Sequence, residues 1–146
     1  MKSYIILSIA LLLLGATNSN AQNSPSIQQI ENSLRKNGKY AMLVMKTQHL
    51  IAGIKTGKVL KSKSRKIDFQ ILVCGELVKE ISVNKDLQKQ IIDAVNINQI
   101  KILVCGLSIQ QFGVDELLLP KEMLRTENGL IYMFGLQEQG FKTLIL

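Results

Sequence analysis

Short runs rich in apolar residues alternate along this chain with stretches in which apolar residues recur every three or four positions. The apolar-rich runs span residues 40–45, 67–73, 100–104 and 141–146, with a weaker run at 123–126, and the first of them is apolar at every position. Apolar-rich runs of this length are typical of parallel strands that are buried on both faces. The sequence therefore predicts five strands.

The stretches between these runs carry the helical period. They predict helices at residues 47–61, 76–81, 86–96, 107–112 and 130–139. Gly113 and Gly140 follow two of these stretches, as glycines do where helices end. Before the first strand, apolar residues spaced three or four apart predict either a short helix or an extended arm.

Strands that alternate with helices throughout a chain indicate an α/β fold with right-handed crossovers. The fold class predicted here is a three-layer, doubly wound sheet of five mostly parallel strands with helices on both faces. The commonest strand order for such a chain is 2-1-3-4-5, and that order is expected here.

The first residues have the features of a secretory signal. Lys2 precedes an apolar run of about 11 residues, and Ser19-Asn20-Ala21 offers small residues for cleavage after Ala21. An uncleaved anchor is the alternative, although the run is short for a membrane span. The predicted organisation is a signal peptide at 1–21, an arm or short helix at 22–38 and an α/β domain at 39–146. We expect export, to a bacterial periplasm, with no membrane attachment after cleavage.

The chain is basic, with a formal net charge of +7. The second half of the first long helical stretch and the residues just after it carry six cations without an intervening acid: Lys55, Lys58, Lys61, Lys63, Arg65 and Lys66. We interpret them as a solvated helix end, where cations suit the helix dipole, with contact to an anionic surface as the alternative. The chain lacks the aromatic and basic stripes of single-strand binders, so no nucleic-acid partner is expected.

The two cysteines, Cys74 and Cys105, occur in identical phrases, Ile-Leu-Val-Cys-Gly, each at the fourth position. Two cysteines in an exported chain raise the possibility of a disulfide. In the expected strand order, however, the first strand separates the second from the third. The two Cα atoms would then lie roughly 9–10 Å apart, beyond the reach of a disulfide. The sequence therefore predicts two free thiols.

Cys105 is the candidate reactive thiol. It ends the third strand and precedes a short helix, where the N–H groups from Gly106 onward and the helix dipole would lower its pKa. The expected strand order also places it at the crevice where ligands bind in open α/β sheets. Cys74 would end an edge strand beside Glu76, whose charge disfavours a thiolate. The alternative is that both cysteines only pack in the core.

Lys46 and His49 follow the first strand and would face Cys105 across this crevice. His49 is the single histidine and could act as a base or hydrogen-bond partner for a thiolate. Lys46 could stabilise a thiolate or an anionic ligand. The sequence contains no recognisable metal-ligand cluster and no phosphate-binding glycine loop, so neither a metal nor a cofactor is expected.

Several segments, taken in order, resemble the DsrE/DsrF-like family of sulfur-relay proteins. They are 71–75 (ILVCG), 104–108 (VCGLS), 112–113 (FG), 117–120 (LLLP), 128–129 (NG) and 136–144 (LQEQGFKTL). The resemblance covers about residues 39–146. It implies a five-stranded parallel α/β sandwich that forms homo- or hetero-oligomers. It also implies that a cysteine after the third strand carries sulfur as a persulfide, and Cys105 stands at that position.

Two functional hypotheses follow. In the first, the protein is a periplasmic sulfur carrier, more a carrier than a turnover enzyme, in which Cys105 exchanges sulfur with a donor or acceptor protein. The best-known family members are cytoplasmic, so an exported chain departs from them. In the second, the protein is an oligomeric structural or small-ligand-binding module without cysteine chemistry, which binds an anion beside Lys46 and His49.

Overall fold

The computed structural model describes residues 24–146. The predicted signal peptide and its anchor alternative lie outside the described residues. The chain divides into two compact units, of which the first ends at Ser33 and the second is Leu34–Leu146. No helix within residues 24–146 combines the length and the apolar character needed to cross a membrane.

The described part of the first unit contains one short helix, α1 (Ile27–Asn32). A capping box starts it: Ser26 Oγ accepts a hydrogen bond from the Gln29 N–H, and Gln29 Oε1 accepts one from the Ser26 N–H. No residue of α1 is buried. Of the two forms expected for this region, residues 27–32 take the helical one.

The second unit alternates strands and helices as the sequence predicts. Its elements are β1 (Lys39–Val44), α2 (Thr47–Lys63), β2 (Asp68–Val73), α3 (Leu77–Val83), α4 (Lys85–Asn96), β3 (Lys101–Cys105), α5 (Gly106–Gln111), β4 (Leu124–Thr126), α6 (Gly129–Glu138) and β5 (Lys142–Ile145). A single 3₁₀ turn, Glu116–Leu118, lies between α5 and β4. The five predicted strands are present.

All strand pairs in the sheet are parallel, and the order is β4-β3-β2-β1-β5. The expected order 2-1-3-4-5 is therefore wrong. From β1 to β4 each crossover steps to the next position on the same side, as consecutive strands usually do. The chain then returns through α6 and places β5 on the free side of β1. As a result β2, and not β1, is the neighbour of β3.

The sheet separates two apolar cores. Successive side chains of a strand point to opposite faces, so Ile71 and Val73 join the core beneath α2, α3, α4 and α5. Leu72 and Cys74 join the second core, which is covered by α6 through Met133 and Leu136. This arrangement confirms the predicted three-layer, doubly wound α/β fold.

Candidate thiol site

Cys74 and Cys105 follow directly paired residues on neighbouring strands. Val73 of β2 is in register with Val104 of β3. Cys74 directly follows the end of β2, and Cys105 is the last residue of β3. Adjacent strands are about 4.8 Å apart, a spacing within the Cα range of disulfides. The expected separation of roughly 9–10 Å is therefore wrong, because it depended on an intervening β1. Both thiols are nevertheless free.

Both sulfur atoms lie against Gly129, the first residue of α6. A methyl group placed on Gly129 would be 2.9 Å from Cys74 Sγ and 3.2 Å from Cys105 Sγ. The side chain of Asn128 caps α6 by accepting from the N–H groups of Leu130 and Ile131. The Gly129 N–H is left for the cysteine, and it donates to Cys105 Sγ at 3.3 Å. Glycine at this position lets the start of α6 rest directly on the two sulfurs.

Ser108, the third residue of α5, is buried. After the Gly129 N–H, it provides the second polar contact of the two cysteines. Its Oγ accepts a hydrogen bond of 2.9 Å from the Gly75 N–H, the residue that follows Cys74. Hydrogen bonding by the Ser108 side chain lowers the pKa of both thiols. Ser108 therefore connects the turn after Cys74 with the helix that follows Cys105.

The two thiols differ in acidity. Burial, the nearby charge of Cys105 and a hydrogen bond with it raise the pKa of Cys74 to about 12. Burial also acts to raise the pKa of Cys105, but backbone N–H groups of Ser108 and Gly129 oppose it, as do hydrogen bonds with Ser108 and Cys74. The net effect lowers the pKa of Cys105 below its ordinary value. Cys105 is therefore the more acidic thiol of the pair.

The N–H dipoles, and not a cation, favour the thiolate. Arg125, the central residue of β4, packs against Gly106, but its guanidinium forms ion pairs of 2.9 Å with Glu116 and 3.0 Å with Glu127. The N–H groups that lower the pKa of Cys105 belong to Ser108 and Gly129. Gly106 is closely packed, because a methyl group there would lie 3.1 Å from the Thr126 carbonyl. Its predicted part in binding the thiolate stays a prediction.

Cys105 lies at the switch point of the sheet, although not at the one expected. The helix after β3, α5, packs on one face through Ile109, and the helix after β4, α6, packs on the other. The winding therefore reverses between β3 and β4, and the carboxyl ends of these strands border the crevice. Ligands of open α/β sheets bind at such points.

Lys46 and His49 do not belong to this site. The predicted crevice between the first and third strands does not exist, since β2 lies between them. Lys46 is the N-cap of α2, and His49 is in its first turn, on a helix that packs on the face opposite the thiols. His49 Nε2 lies 3.5 Å from Gln48 Nε2. The residue that does lie beside Cys105 is Cys74, which the sequence alone assigned to packing.

Sequence reasoning also missed Ser108 and Gly129 as parts of the site. Each had a weak signal: Ser108 is at the third position of a helix that opens on a cysteine, where a backbone N–H can meet a capping atom. Asn128-Gly129 before an apolar helical stretch is typical of a helix start. Within residues 24–146, no three His, Cys, Asp or Glu side chains are grouped so that they could hold a metal ion.

Comparison with known proteins finds similarity in structure alone. No family model matches the chain, and no curated protein matches it. A protein of unknown function from Methanobacterium thermoautotrophicum, MTH1491, aligns with a TM-score of 0.66 and 9% identity over 75% of this chain and 99% of its own.

Two further solved structures are similar. BT1422 of Bacteroides thetaiotaomicron, a conserved protein of unknown function, gives a TM-score of 0.59 and 16% identity over 79% of this chain and 100% of its own. The ychN protein of E. coli gives 0.56 and 9% identity over 74% and 99%. At these identities the similarity shows the fold alone, and the thiol site must be argued from its own residues.

Proposed function

We propose that this protein handles sulfur and that Cys105 carries it as a persulfide. The observation that carries the proposal is the hydrogen bond from the Gly129 N–H to Cys105 Sγ at the switch point of the sheet. A thiolate is the nucleophilic form of cysteine, and Cys105 is the member of the pair whose pKa is lowered. The position also agrees with the sulfur-carrying cysteine implied by the resemblance to DsrE/DsrF-like proteins.

The loading step is a thiol exchange on a persulfide donor, R–S–SH. The Cys105 thiolate attacks the outer sulfur and forms a new S–S bond, while the donor S–S bond breaks and R–S⁻ leaves with the electron pair. The Gly129 N–H and Ser108 stabilise the thiolate before the attack. No other oxidant or reductant enters this step, which suits a carrier better than a turnover enzyme.

Loading requires the start of α6 to move. Cys105 is 4% exposed and Cys74 8%, and Gly129 already touches both sulfurs. An additional sulfur atom therefore fits only when Asn128 and Gly129 shift outward. A donor or acceptor protein that docks beside α6 would expose the thiol at the moment of transfer.

The exposed side of α6 supports a self-associating carrier. Leu130, Ile131 and Phe134 are all exposed, Phe134 by 64%. Large apolar side chains that cluster on one helix surface are typical of interfaces. We propose a homo-oligomer that covers them, in an exported protein of the periplasm. Light scattering after size exclusion should show a complex that Phe134→Glu dissociates, whereas an unchanged monomeric mass for the unmodified chain would contradict this.

Intact mass spectrometry with glutathione persulfide tests the carrier function. The Cys74→Ser variant should gain about 32 Da, the mass of one sulfur atom. A double variant that also carries Cys105→Ser should gain none. The two substitutions are matched, since each replaces a buried cysteine at the end of a neighbouring strand. Failure of Cys74→Ser to form the adduct, with either glutathione persulfide or inorganic polysulfide, would refute the proposal.

The packing of both thiols favours one rival, a structural module whose cysteines only fill the core. In that case the folded protein should form no adduct, and Cys105→Ala should alter only stability. The anion site expected for such a module beside Lys46 and His49 loses its basis, because β2 lies between the first and third strands and the crevice expected there does not form.

A further inference from the structure

The carrier function leaves Cys74 without a role. We propose that Cys74 is the resolving thiol of the site: it attacks the Cys105 persulfide, releases the outer sulfur as sulfide, and leaves a Cys74–Cys105 disulfide. This inference depends on the proposed persulfide at Cys105 and states what that persulfide is converted to. The protein would then reduce sulfane sulfur to sulfide and would not only transfer it.

The strand register carries the argument. Val73 and Val104 are paired, and the two cysteines that follow belong to the same apolar core beneath α6. Both sulfur atoms lie within 3.2 Å of one point above Gly129. The strand spacing of about 4.8 Å is within the Cα range of disulfides. The two side chains therefore point into one shared space and can bond without a shift in strand order.

The backbone on each side of the pair is held in place. The Cys74 N–H donates to the Val44 carbonyl of β1 at 3.0 Å. The Gly75 N–H donates to Ser108 Oγ, which belongs to the helix that begins after Cys105. Bond formation therefore requires rotation of two cysteine side chains between fixed backbones. This is the preorganised geometry that makes an intramolecular attack faster than attack by a free thiol.

The step balances without a further reagent. Cys74 sulfur bonds to the inner sulfur of the Cys105 persulfide, and the bond between the inner and outer sulfurs breaks. The outer sulfur leaves as HS⁻ with the electron pair, and the Cys74 proton passes to it or to water. The two thiols lose two electrons and the sulfane sulfur gains two. A small thiol or dithiol reductant then reopens the disulfide.

The chemical difference between the two thiols suits this order of events. Cys105, with its lowered pKa, is the thiolate that meets the donor. Cys74, whose pKa is raised to about 12, keeps its proton while Cys105 reacts, as in dithiol sites in which one cysteine attacks the substrate first and the other follows. Cys74 therefore reacts second, and its proton leaves with the sulfide that its attack releases.

The test uses the mature chain, reduced and then freed of reductant, with one equivalent of glutathione persulfide under argon. Released sulfide and intact mass are followed together. The unsubstituted protein should release sulfide and become about 2 Da lighter, with a disulfide in the Cys74–Cys105 peptide pair. Cys74→Ser should keep the adduct of about 32 Da and release at least about tenfold less sulfide, because released glutathione is far more dilute than a neighbouring thiol.

Each result is decisive. A stable adduct in both proteins, with equal sulfide release, would overturn the resolving role and leave the carrier function standing. No adduct in Cys74→Ser would remove the carrier function and this inference with it. If Cys74→Ser does not fold, Cys74→Ala takes its place. As an independent check, the oxidant diamide should produce the same disulfide in the unsubstituted protein, and its failure to do so would also overturn the inference.

Discussion

Cys74 and Cys105 are the fourth residues of the same five-residue phrase at the ends of adjacent strands, yet they occupy different chemical environments. After Cys74, Gly75 adopts a left-handed turn with φ of 66°, and α3 begins two residues later. After Cys105, α5 begins at once, and N–H groups from α5 and α6 lower the pKa of the thiol. The difference teaches that the residues after a strand end, and the helix packed above it, decide the chemistry of a cysteine.

The largest expected effect is on the acidity of the two thiols. Thiolate absorbance at 240 nm should rise in two steps, with a first midpoint below the ordinary value of 9.0 and a second near 12. Only one thiolate should therefore form by about pH 10, since a thiol with a raised pKa stays protonated until the pH approaches that value. The difference spectrum against a Cys74→Ser, Cys105→Ser double variant removes the tyrosine signal. Formation of two thiolates by pH 10 would contradict the difference in pKa between Cys74 and Cys105.

Gly129→Ala should disturb both cysteines together. The added methyl would lie 2.9 Å from Cys74 Sγ and 3.0 Å from Leu72 Cδ2, so the free energy of unfolding should fall by about 1–3 kcal/mol. Gly135→Ala is the matched control, because it is in the same helix and its methyl would meet nothing within 4 Å. Urea denaturation should show that control to be stabilised by about 0.5–1 kcal/mol. Equal effects of the two substitutions would contradict the contact.

Ser108→Ala should make both thiols less acidic without removing the difference between them. Ser108 lowers the pKa of both thiols, so its removal should shift both 240 nm midpoints upward. It should also destabilise the fold by about 1–3 kcal/mol, because the Gly75 N–H loses its acceptor. Ser108→Thr, which keeps the hydroxyl, should restore the lower midpoints. Unchanged midpoints in Ser108→Ala would show that Ser108 serves structure alone.

The smallest expected effects are those of substituting the two glycines that follow the cysteines, and they compare the two strand ends directly. Gly75→Ala should destabilise the protein by about 1–2 kcal/mol, because a side chain is strained in the left-handed region. Gly75→Asn should be milder, since asparagine tolerates that conformation better. Gly106→Ala involves no such strain and only a 3.1 Å contact with Arg125 and Thr126, so it should have the smaller effect in thermal denaturation. The reverse ranking would contradict the assigned backbone difference.

The sequence alone identified the α/β class and the five strands, because apolar-rich runs and the helical period are local signals. It could not identify the strand order, since each crossover helix fits either side of a strand equally well. The error moved β2 to an edge and so separated Cys74 from Cys105. The sequence chose Cys105 from its place at a helix start, which is again a local signal.

The rest of the site depends on contacts between distant parts of the chain. The hydrogen bond from Gly129 to Cys105 joins residues 24 positions apart, and that from Gly75 to Ser108 joins residues 33 apart. The predicted placement of Lys46 and His49 at the site depended on the expected strand order, and it is wrong because that order is wrong. No periodic pattern could reveal that a glycine at the start of α6 would cover two sulfurs.

The two faces of the sheet are covered by different numbers of helices, and this difference affects local stability. Four helices share the larger core on one face, whereas α6 alone covers the core that contains the thiols. Elements that bury little apolar surface open at lower free energy than the whole domain. We therefore expect the first turn of α6 to open, and to expose sulfur, at a lower free energy than the helices of the opposite face. The start of α6 then determines how readily the thiols become exposed. Substitutions in α6 should change this exposure without altering the larger core.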